Sequence, residues 1–505
     1  MAKRKSDVYS SFRFEEATID GIHEAMRAGQ LTARGLVEGY LRRIETYDQK
    51  GPEINAIVTV NPNALARADE LDQAFADSGE FTGPLHGIPV VLKDNIETND
   101  VTTTYGSIAF DGYQPANDAT VTRKLREAGA IILAKTTLPD FATSWWAYSS
   151  MSGETRNPYA LDCDPGGSSA GTGASVAANF SAVGMGTDCG GSVRVPSSFN
   201  NLVGVRSTPG VISRAGTTPL VSWQDTVGPM ARTVADAVRM FDVLAGYDPD
   251  DSLSVAYYVA RAPESYSALL AADALRGARI GFVTNALGSD SDPFAAPVNR
   301  VVAAAFEAMR GAGAEVIEVQ IPDLMGHIVA TSMYVTRSRY ETDSFLAARP
   351  SAPMRTLQQI YESGKYHPRL DLIESCVFGP TMPEYDPKYY PALVAREEFA
   401  RAVLTVMAQN GLDALAYPDV QVAPPKRELL NAGQWTTLTF PTNTLIASQT
   451  WMPAITVPGG FTEDGLPVGI EFVARPYDEP TMFRLAYSFE QATHHRRPPA
   501  SAPEL

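Results

Sequence analysis

A chain of 505 residues with 44% apolar and 20% charged side chains has enough hydrophobic sequence for a large core, which excludes a disordered or fibrous protein. Its 58 acidic against 41 basic side chains leave a net charge of −17, which repels phosphate backbones and argues against nucleic-acid binding. No apolar window reaches the roughly 18 residues of a membrane helix, so a soluble protein is expected.

The opening MAKRKSDVYSS is basic without a following apolar run, unlike a signal peptide, and a cytoplasmic location is the expectation. From Ile19 to Phe75 apolar residues recur at helical spacing, broken at Gly29, so residues 1–80 read as an N-terminal helical segment packed on the core. The texture then changes. GIPVVLKDNI (87–96) reads as a strand, DATVTRKLREAGA (118–130) as a helix closed by Gly129, and IILAKTT (131–137) as another strand. ASVAANF continues as helix, SAVGMGTD as strand and TVADAVRMFDVLAG (233–246) as helix. ARIGFVTN (278–285) and AEVIEVQI (314–321) flank one more helix. This alternation predicts an α/β domain with helices on both faces of a mostly parallel sheet over residues 81–321.

Residues 322–438 are irregular and rich in aromatics, and read as a mostly helical insertion. PAITVPGG (453–460), LPVGIEFVAR (466–475) and PTMFRLAYSFEQAT (480–493) then supply two strands and a helix, so 439–505 completes the core.

The stretch GGSSAGTGASVAANFSAVGMGTDCGGS (166–192) is too apolar and too punctuated for a flexible linker. It contains no phosphate-binding GxxxxGK[ST], and Gly171-Thr172-Gly173-Ala174-Ser175-Val176 ends in Val where a dinucleotide loop needs Gly or Ala. GxSxG occurs as Gly167-Ser168-Ser169-Ala170-Gly171, but no strand leads into it, as a nucleophile elbow requires. Cys163, Cys189 and Cys376 have no metal-ligand spacing, and no metal or organic cofactor is expected. The remaining use of such small residues is a backbone that must approach something closely.

A serine nucleophile needs a base, and none of the six histidines falls in a triad motif. A lysine can replace histidine if burial lowers its pKa from the usual ~10.4. Lys93 ends the apolar run PVVL, which makes it a candidate; the alternative is a simple ion pair with Asp94.

VVLKDNI, TTTYGS, DATVTRKLREAGAIILAKTTLPDFA and PGGSSAGTGASVAANFSAVGMGTDCGGSVRVPSS together resemble the amidase signature family from about Asn55 to Gly246. The likeness resumes at PAITVPGGFTEDGLPVGIEFVARP. The resemblance implies that family's fold, a large central mixed, mostly parallel sheet flanked by helices, with the insertion near the active site. It also implies a Ser–Ser–Lys set: Ser192 as nucleophile, Ser168, on a cis peptide after Gly167, as proton bridge, and Lys93 as base. Backbone amides of Cys189, Gly190, Gly191 and Ser192 would form the oxyanion hole, while Ser169, Asp188 and Arg194 would support the loop. Thr143, Ser144, Trp145 and Trp146 align with an acyl-pocket region and are candidate substrate contacts, or else core. The loop Ser168-Ser169-Ala170-Gly171-Thr172-Gly173 departs mildly from the family, and AKTTLPDF departs at Thr137 and Asp140, outside the triad, where pocket shape is what it bears on.

The implied activity is hydrolysis of the C–N bond of small-molecule amides, aryl or bulky apolar ones, through a Ser192 acyl-enzyme. The alternatives are a carbamate (urethane) hydrolase of the same mechanism and the A subunit of a glutamine-dependent aminoacyl-tRNA amidotransferase. A non-catalytic binding protein is disfavoured by the intact triad. The expected partner is a small-molecule amide or carbamate, without nucleic acid or membrane; a homodimer is left open.

Overall fold

Pro89–Lys93 and Ile131–Thr136 are buried along their whole length, which is why their sequences run apolar without alternation. In the computed structural model, which describes residues 12–505, they lie side by side in one 11-stranded sheet; the reading of MAKRKSDVYSS as no signal peptide falls outside the described residues. The strands are β1 (Ile57–Val60), β2 (Pro89–Lys93), β3 (Ile131–Thr136), β4 (Val183–Asp188), β5 (Val203–Arg206), β6 (Thr226–Ala231), β7 (Arg279–Val283), β8 (Glu315–Val319), β9 (Ala414–Pro418), β10 (Ala454–Phe461) and β11 (Pro467–Val473). Their spatial order is β1-β3-β2-β4-β6-β5-β10-β11-β9-β7-β8. A further pair of two-residue strands, Tyr148–Ser149 and Gly153–Glu154, forms a small separate sheet.

The large sheet is mixed and flanked by helices. The parallel pairing expected of it occupies two flanks: β3, β2 and β4 on one side, and β9, β7 and β8 on the other. Between them the strands from β4 through β6, β5, β10 and β11 to β9 pair antiparallel, and β1 adds an antiparallel edge.

Four strands escape the sequence pattern, each for a physical reason. β1 is a four-residue edge strand amid helices. β5 is short and ends in Arg206, and β6 carries Pro229, opposite Met185, in the interior of a sheet where proline is normally excluded. β9, Ala414–Pro418, lies beyond the long helix Tyr389–Asn410, so the helical stretch after Pro322 yields to the sheet before residue 438.

Helices Val234–Leu244, Ala296–Gly311 and Glu479–Thr493 pack against the sheet. The segment 170–177, AGTGASVA, forms a wholly buried helix that starts four residues earlier than the ASVAANF pattern implies. It needs its glycine at 171: a Cβ there would sit 2.3 Å from Ala56 O and from Thr137 N. Outside the main core, Trp145, Trp146, Phe440 and Tyr334 join a second apolar cluster that brings residues between Tyr105 and Val221 against the segment after residue 333.

Adjacent β2 and β4 run parallel, so their carboxyl ends open at the same edge of the sheet. The helix 170–177 feeds β4 and therefore begins at that edge. Three segments far apart in sequence thus deliver Lys93, Ser168 and the loop after Asp188 to one place, the position where open α/β sheets bind ligands.

Candidate active site

Lys93 is fully buried, and its Nζ lies 2.7 Å from Ser168 Oγ. The ammonium also meets Thr187, with Oγ1 at 2.8 Å and the carbonyl oxygen at 3.4 Å. Asn95 Nδ2 donates to the same Thr187 hydroxyl at 3.1 Å, which holds it in position. Among the described residues no carboxylate pairs with Lys93. Asp94, the neighbour that could have neutralised it, turns away: Oδ1 lies 3.0 Å from Lys135 Nζ, and Oδ2 accepts from Thr104 N and Oγ1. The ion-pair alternative for Lys93 is therefore excluded. Burial pushes the Lys93 amine down to about 7, against weaker opposing effects of Asp188, Asp225 and Cys189.

In its neutral form the amine has two N–H donors and one lone pair. With both donors spent on Thr187 Oγ1 and O, the lone pair of the neutral amine would face the Ser168 hydroxyl. Ser168 itself follows a cis peptide bond after Gly167. The next residue ties the two serine segments together, because Ser169 N donates to Ser192 O at 3.1 Å. Ser169 Oγ turns to Thr187 O at 3.3 Å.

Ser192 lies in the loop between β4 and the helix Arg194–Phe199, and it borders a cavity of about 440 Å³ together with Cys189 and Gly190. The two glycines have a steric reason in addition to the access of a carbonyl. A Cβ at Gly190 would fall 2.0 Å from Tyr334 Oη, and one at Gly191 2.0 Å from Thr444 Oγ1. Gly191 also has φ +138°, a conformation side chains rarely adopt. Thr444 Oγ1 donates to Gly190 O at 2.6 Å and Gln224 Nε2 to Cys189 O at 3.1 Å, so loop carbonyls are anchored outward. The Cys189 thiol is buried beside Asp225, and burial pushes its pKa well up, which disfavours a thiolate.

Asp188 and Arg194 face each other inside the protein. Arg194 Nε and Nη2 reach Asp188 Oδ2 and Oδ1 at 3.1 and 3.0 Å, and Arg206 Nη1 reaches Oδ1 at 2.9 Å. Burial alone would raise this carboxyl, but the two guanidinium groups outweigh it and hold it well below the usual range. Asp188 Oδ2 also accepts from Val193 N at 3.1 Å, directly after Ser192. Neither side chain borders the cavity.

The four candidates around the paired tryptophans divide. Ser144 and Trp145 line the cavity. Trp145 is held from behind, its Nε1 donating to Thr437 O at 2.8 Å. Thr143 instead donates to Asp140 O, and Trp146 packs edge-on against Phe440 at 4.4 Å, so both belong to the support of the wall. Tyr334, Leu372 and Leu438, from the segment after Pro322, line the same cavity. Sequence reasoning missed Thr187, Asn95, Gln224, Tyr334 and Thr444. The first two sit inside TDCGGS and LKDNI, strings that were visible; nothing near Tyr334 or Thr444 marks them.

A larger surface hollow of about 630 Å³, bordered by His23, Phe75, Phe81 and Arg239, contains none of these residues. Among the described residues there is no cluster of His, Cys, Asp and Glu suited to a metal ion, and no helix is long and apolar enough to cross a membrane.

Comparison with known proteins points one way. A family model described as Amidase matches residues 35–483. A probable amidase of Arabidopsis thaliana is 31% identical, the match covering 97% of this chain and 92% of that protein. The A subunit of the glutamyl-tRNA(Gln) amidotransferase of Geobacter metallireducens is 33% identical over 95% of this chain and 97% of its own. The crystal structure of native peptide amidase from Stenotrophomonas maltophilia superposes with a TM-score of 0.84 at 33% identity, covering 97% of this chain and 99% of that one.

Proposed function

The chain belongs to the amidase family of hydrolases acting on C–N amide bonds, and from that premise we propose that it cleaves bulky, uncharged amides through a Ser192 acyl-enzyme with Ser168 and Lys93 as proton relay. The observation that carries this reading is the 2.7 Å contact between Lys93 Nζ and Ser168 Oγ, made by a buried lysine that has no carboxylate partner.

In this mechanism the lone pair of neutral Lys93 takes the Ser168 proton as Ser168 Oγ takes that of Ser192. Ser192 Oγ bonds to the carbonyl carbon, and the carbonyl oxygen becomes an oxyanion facing the amides of Cys189, Gly190, Gly191 and Ser192. The proton then returns from Lys93 through Ser168 to the amide nitrogen, the C–N bond breaks, and the amine leaves. Water repeats the sequence on the acyl-enzyme to release the carboxylic acid. Each oxyanion donor contributes about 2.7–4 kcal/mol in enzymes of this kind. Asp188 and Arg194 support the loop in this reading, and Ser144 and Trp145 touch the acyl part of the substrate.

The apolar wall of Trp145, Tyr334, Leu372 and Leu438 favours aryl or other large apolar groups over small aliphatic amides, and carbamates, which present a similar carbonyl, are a second substrate class. A role as an amidotransferase A subunit has a specific support, the 33% identity to such a subunit, and requires glutamine as ammonia donor and a partner subunit. The three cysteines are free thiols, in keeping with a cytoplasmic enzyme.

The test is a panel of anilides, aliphatic amides, esters, carbamates and glutamine, run on wild type, Ser192→Ala and Lys93→Met, with fluorophosphonate labelling of Ser192 read in parallel. Anilide turnover and labelling lost together in both variants are expected. Turnover surviving Ser192→Ala overturns the mechanism; glutamine outpacing every anilide moves the chain to the amidotransferase role.

A further inference from the structure

Behind the Ser192 loop lies a buried charge cluster that the relay does not use. Arg194 joins its two halves: on one side Asp188, on the other Glu471 of β11, with Arg194 Nη1 2.5 Å from Glu471 Oε1. Ser448 Oγ accepts from Arg194 Nη2 at 2.7 Å, and Arg206 of β5 shares Asp188. Tyr417 Oη of β9 reaches Glu471 Oε1 at 3.2 Å. Asp419, one residue beyond β9, lies against the Glu471 carboxyl and takes the Thr456 hydroxyl of β10 on Oδ1. All of these side chains are fully buried.

Charge and hydrogen bonding then pose the same problem. The cluster holds two guanidinium groups and three carboxyls, so full ionisation leaves one uncompensated negative charge inside the sheet, which is strongly disfavoured. Among the described residues, two of its oxygens have no hydrogen-bond donor, Asp419 Oδ2 and Glu471 Oε2. One proton resolves both: it neutralises the cluster and converts one orphan acceptor into a donor for the other. Glu471 Oε1 already accepts from Arg194 and Tyr417, so Glu471 is the ionised member and Asp419 carries the proton.

We infer that Asp419 and Glu471 share a single proton between Oδ2 and Oε2, and that this pair is a positioning element which, through Arg194 and Asp188, holds the loop carrying Ser192. The route is continuous: the pair sets the charge facing Arg194, Arg194 orients Asp188, and Asp188 fixes Val193 N beside the nucleophile. Burial raises both carboxyls; the charge of Glu471 pushes Asp419 up further, whereas Arg194 and the hydrogen bond from Asp419 hold Glu471 down, in agreement with the geometry. Because Asp419 is protonated in the folded protein and ionised in the unfolded chain, folding binds a proton above the ordinary carboxylate range. Stability therefore falls as pH rises through that window until Asp419 ionises in the fold.

The experiment compares wild type, Asp419→Asn and Glu471→Gln. The amide at 419 can still donate to Glu471 but has no proton to lose, so the variant loses the alkaline decline in kcat and thermal stability that wild type shows. Glu471→Gln strips Arg194 of its second anion and lowers kcat on the order of tenfold or more, with KM little changed. Difference infrared spectra of wild type minus Asp419→Asn at neutral pH show the carbonyl band of a buried protonated carboxyl. Absence of that band, or an alkaline decline identical in wild type and Asp419→Asn, overturns the inference. If Glu471→Gln does not fold, the infrared and alkaline comparisons decide alone. The kinetic arm rests on Ser192 as nucleophile; the infrared arm does not, so the two readings fail separately.

Discussion

Lys93 and Lys135 stand on neighbouring parallel strands, both fully buried and both with amines that burial pushes down. Their surroundings separate them. Lys135 has Asp94 at 3.0 Å and the Thr103 hydroxyl at 2.7 Å, so it keeps its charge inside a closed pair. Among the described residues Lys93 meets hydroxyls and a carbonyl, one of those hydroxyls belonging to Ser168, whose neighbour Ser169 is hydrogen-bonded to the cavity-lining Ser192. In the proposed mechanism the same side chain at the same depth is a fixed cation on one strand and a proton acceptor on the next, and the position of a single carboxylate makes the difference. A lysine becomes a base when burial is not accompanied by a counter-charge.

The largest effect expected from this contrast comes from exchanging each lysine for methionine. Lys93→Met lowers kcat by about 10²–10⁴-fold, the usual worth of a general base. It also stabilises the fold by on the order of 1 kcal/mol, as relief of a strained functional site commonly does. Lys135→Met strands Asp94 and costs about 3–5 kcal/mol of stability, while the folded fraction still turns over substrate. Thermal unfolding beside kcat measures both, and a Lys135 variant that is stable but inactive breaks the comparison.

The loop on the Lys93 side supplies the next test. Gly190→Ala drives a methyl into Tyr334 Oη, displaces the oxyanion donors and lowers kcat by about 10²-fold. Adding Tyr334→Phe removes the obstructing oxygen and restores part of the loss, whereas no such rescue is expected from any change near Lys135.

The pH profile sharpens the contrast further. Protonated Lys93 has no lone pair, so kcat/KM rises by about tenfold per pH unit on the acid side and levels off above about 7, ahead of the alkaline decline inferred for ionisation of Asp419. The same shift enters stability with a definite sign. The unfolded chain binds more protons than the folded one between about 7 and the ordinary lysine value of 10.5, so the Lys93 contribution to stability improves as pH rises through that window. A flat rate profile across neutrality assigns the base elsewhere. The smallest effect is expected at the cavity wall: Trp145→Ala narrows the preference for anilides over acetamide by roughly three- to tenfold, read from kcat/KM ratios.

The parts of this site that were legible in the sequence are the locally encoded ones. PVVLK and IILAKT announce buried strands, and TDCGGS with its preceding Ser/Gly run announces a backbone that is closely approached. β6 was illegible because Pro229 contradicts an interior strand and only its neighbours β4 and β5 override that preference. Trp145 and Trp146 are adjacent and chemically identical, yet one faces the cavity and the other packs on Phe440, a partner almost three hundred positions away.

What the sequence alone determined is the order of strands and helices along most of the chain and the family motifs that make Lys93, Ser168 and Ser192 candidates for a Ser–Ser–Lys set, because apolar runs and motif strings are properties of neighbouring residues. Tertiary structure decided which lysine goes unpaired, which tryptophan meets the cavity, why residues 190 and 191 tolerate no side chain, and where a third buried acid finds its proton. Those outcomes depend on charges and surfaces brought together from distant segments, and electrostatic energy in a dry interior is set by distance in space.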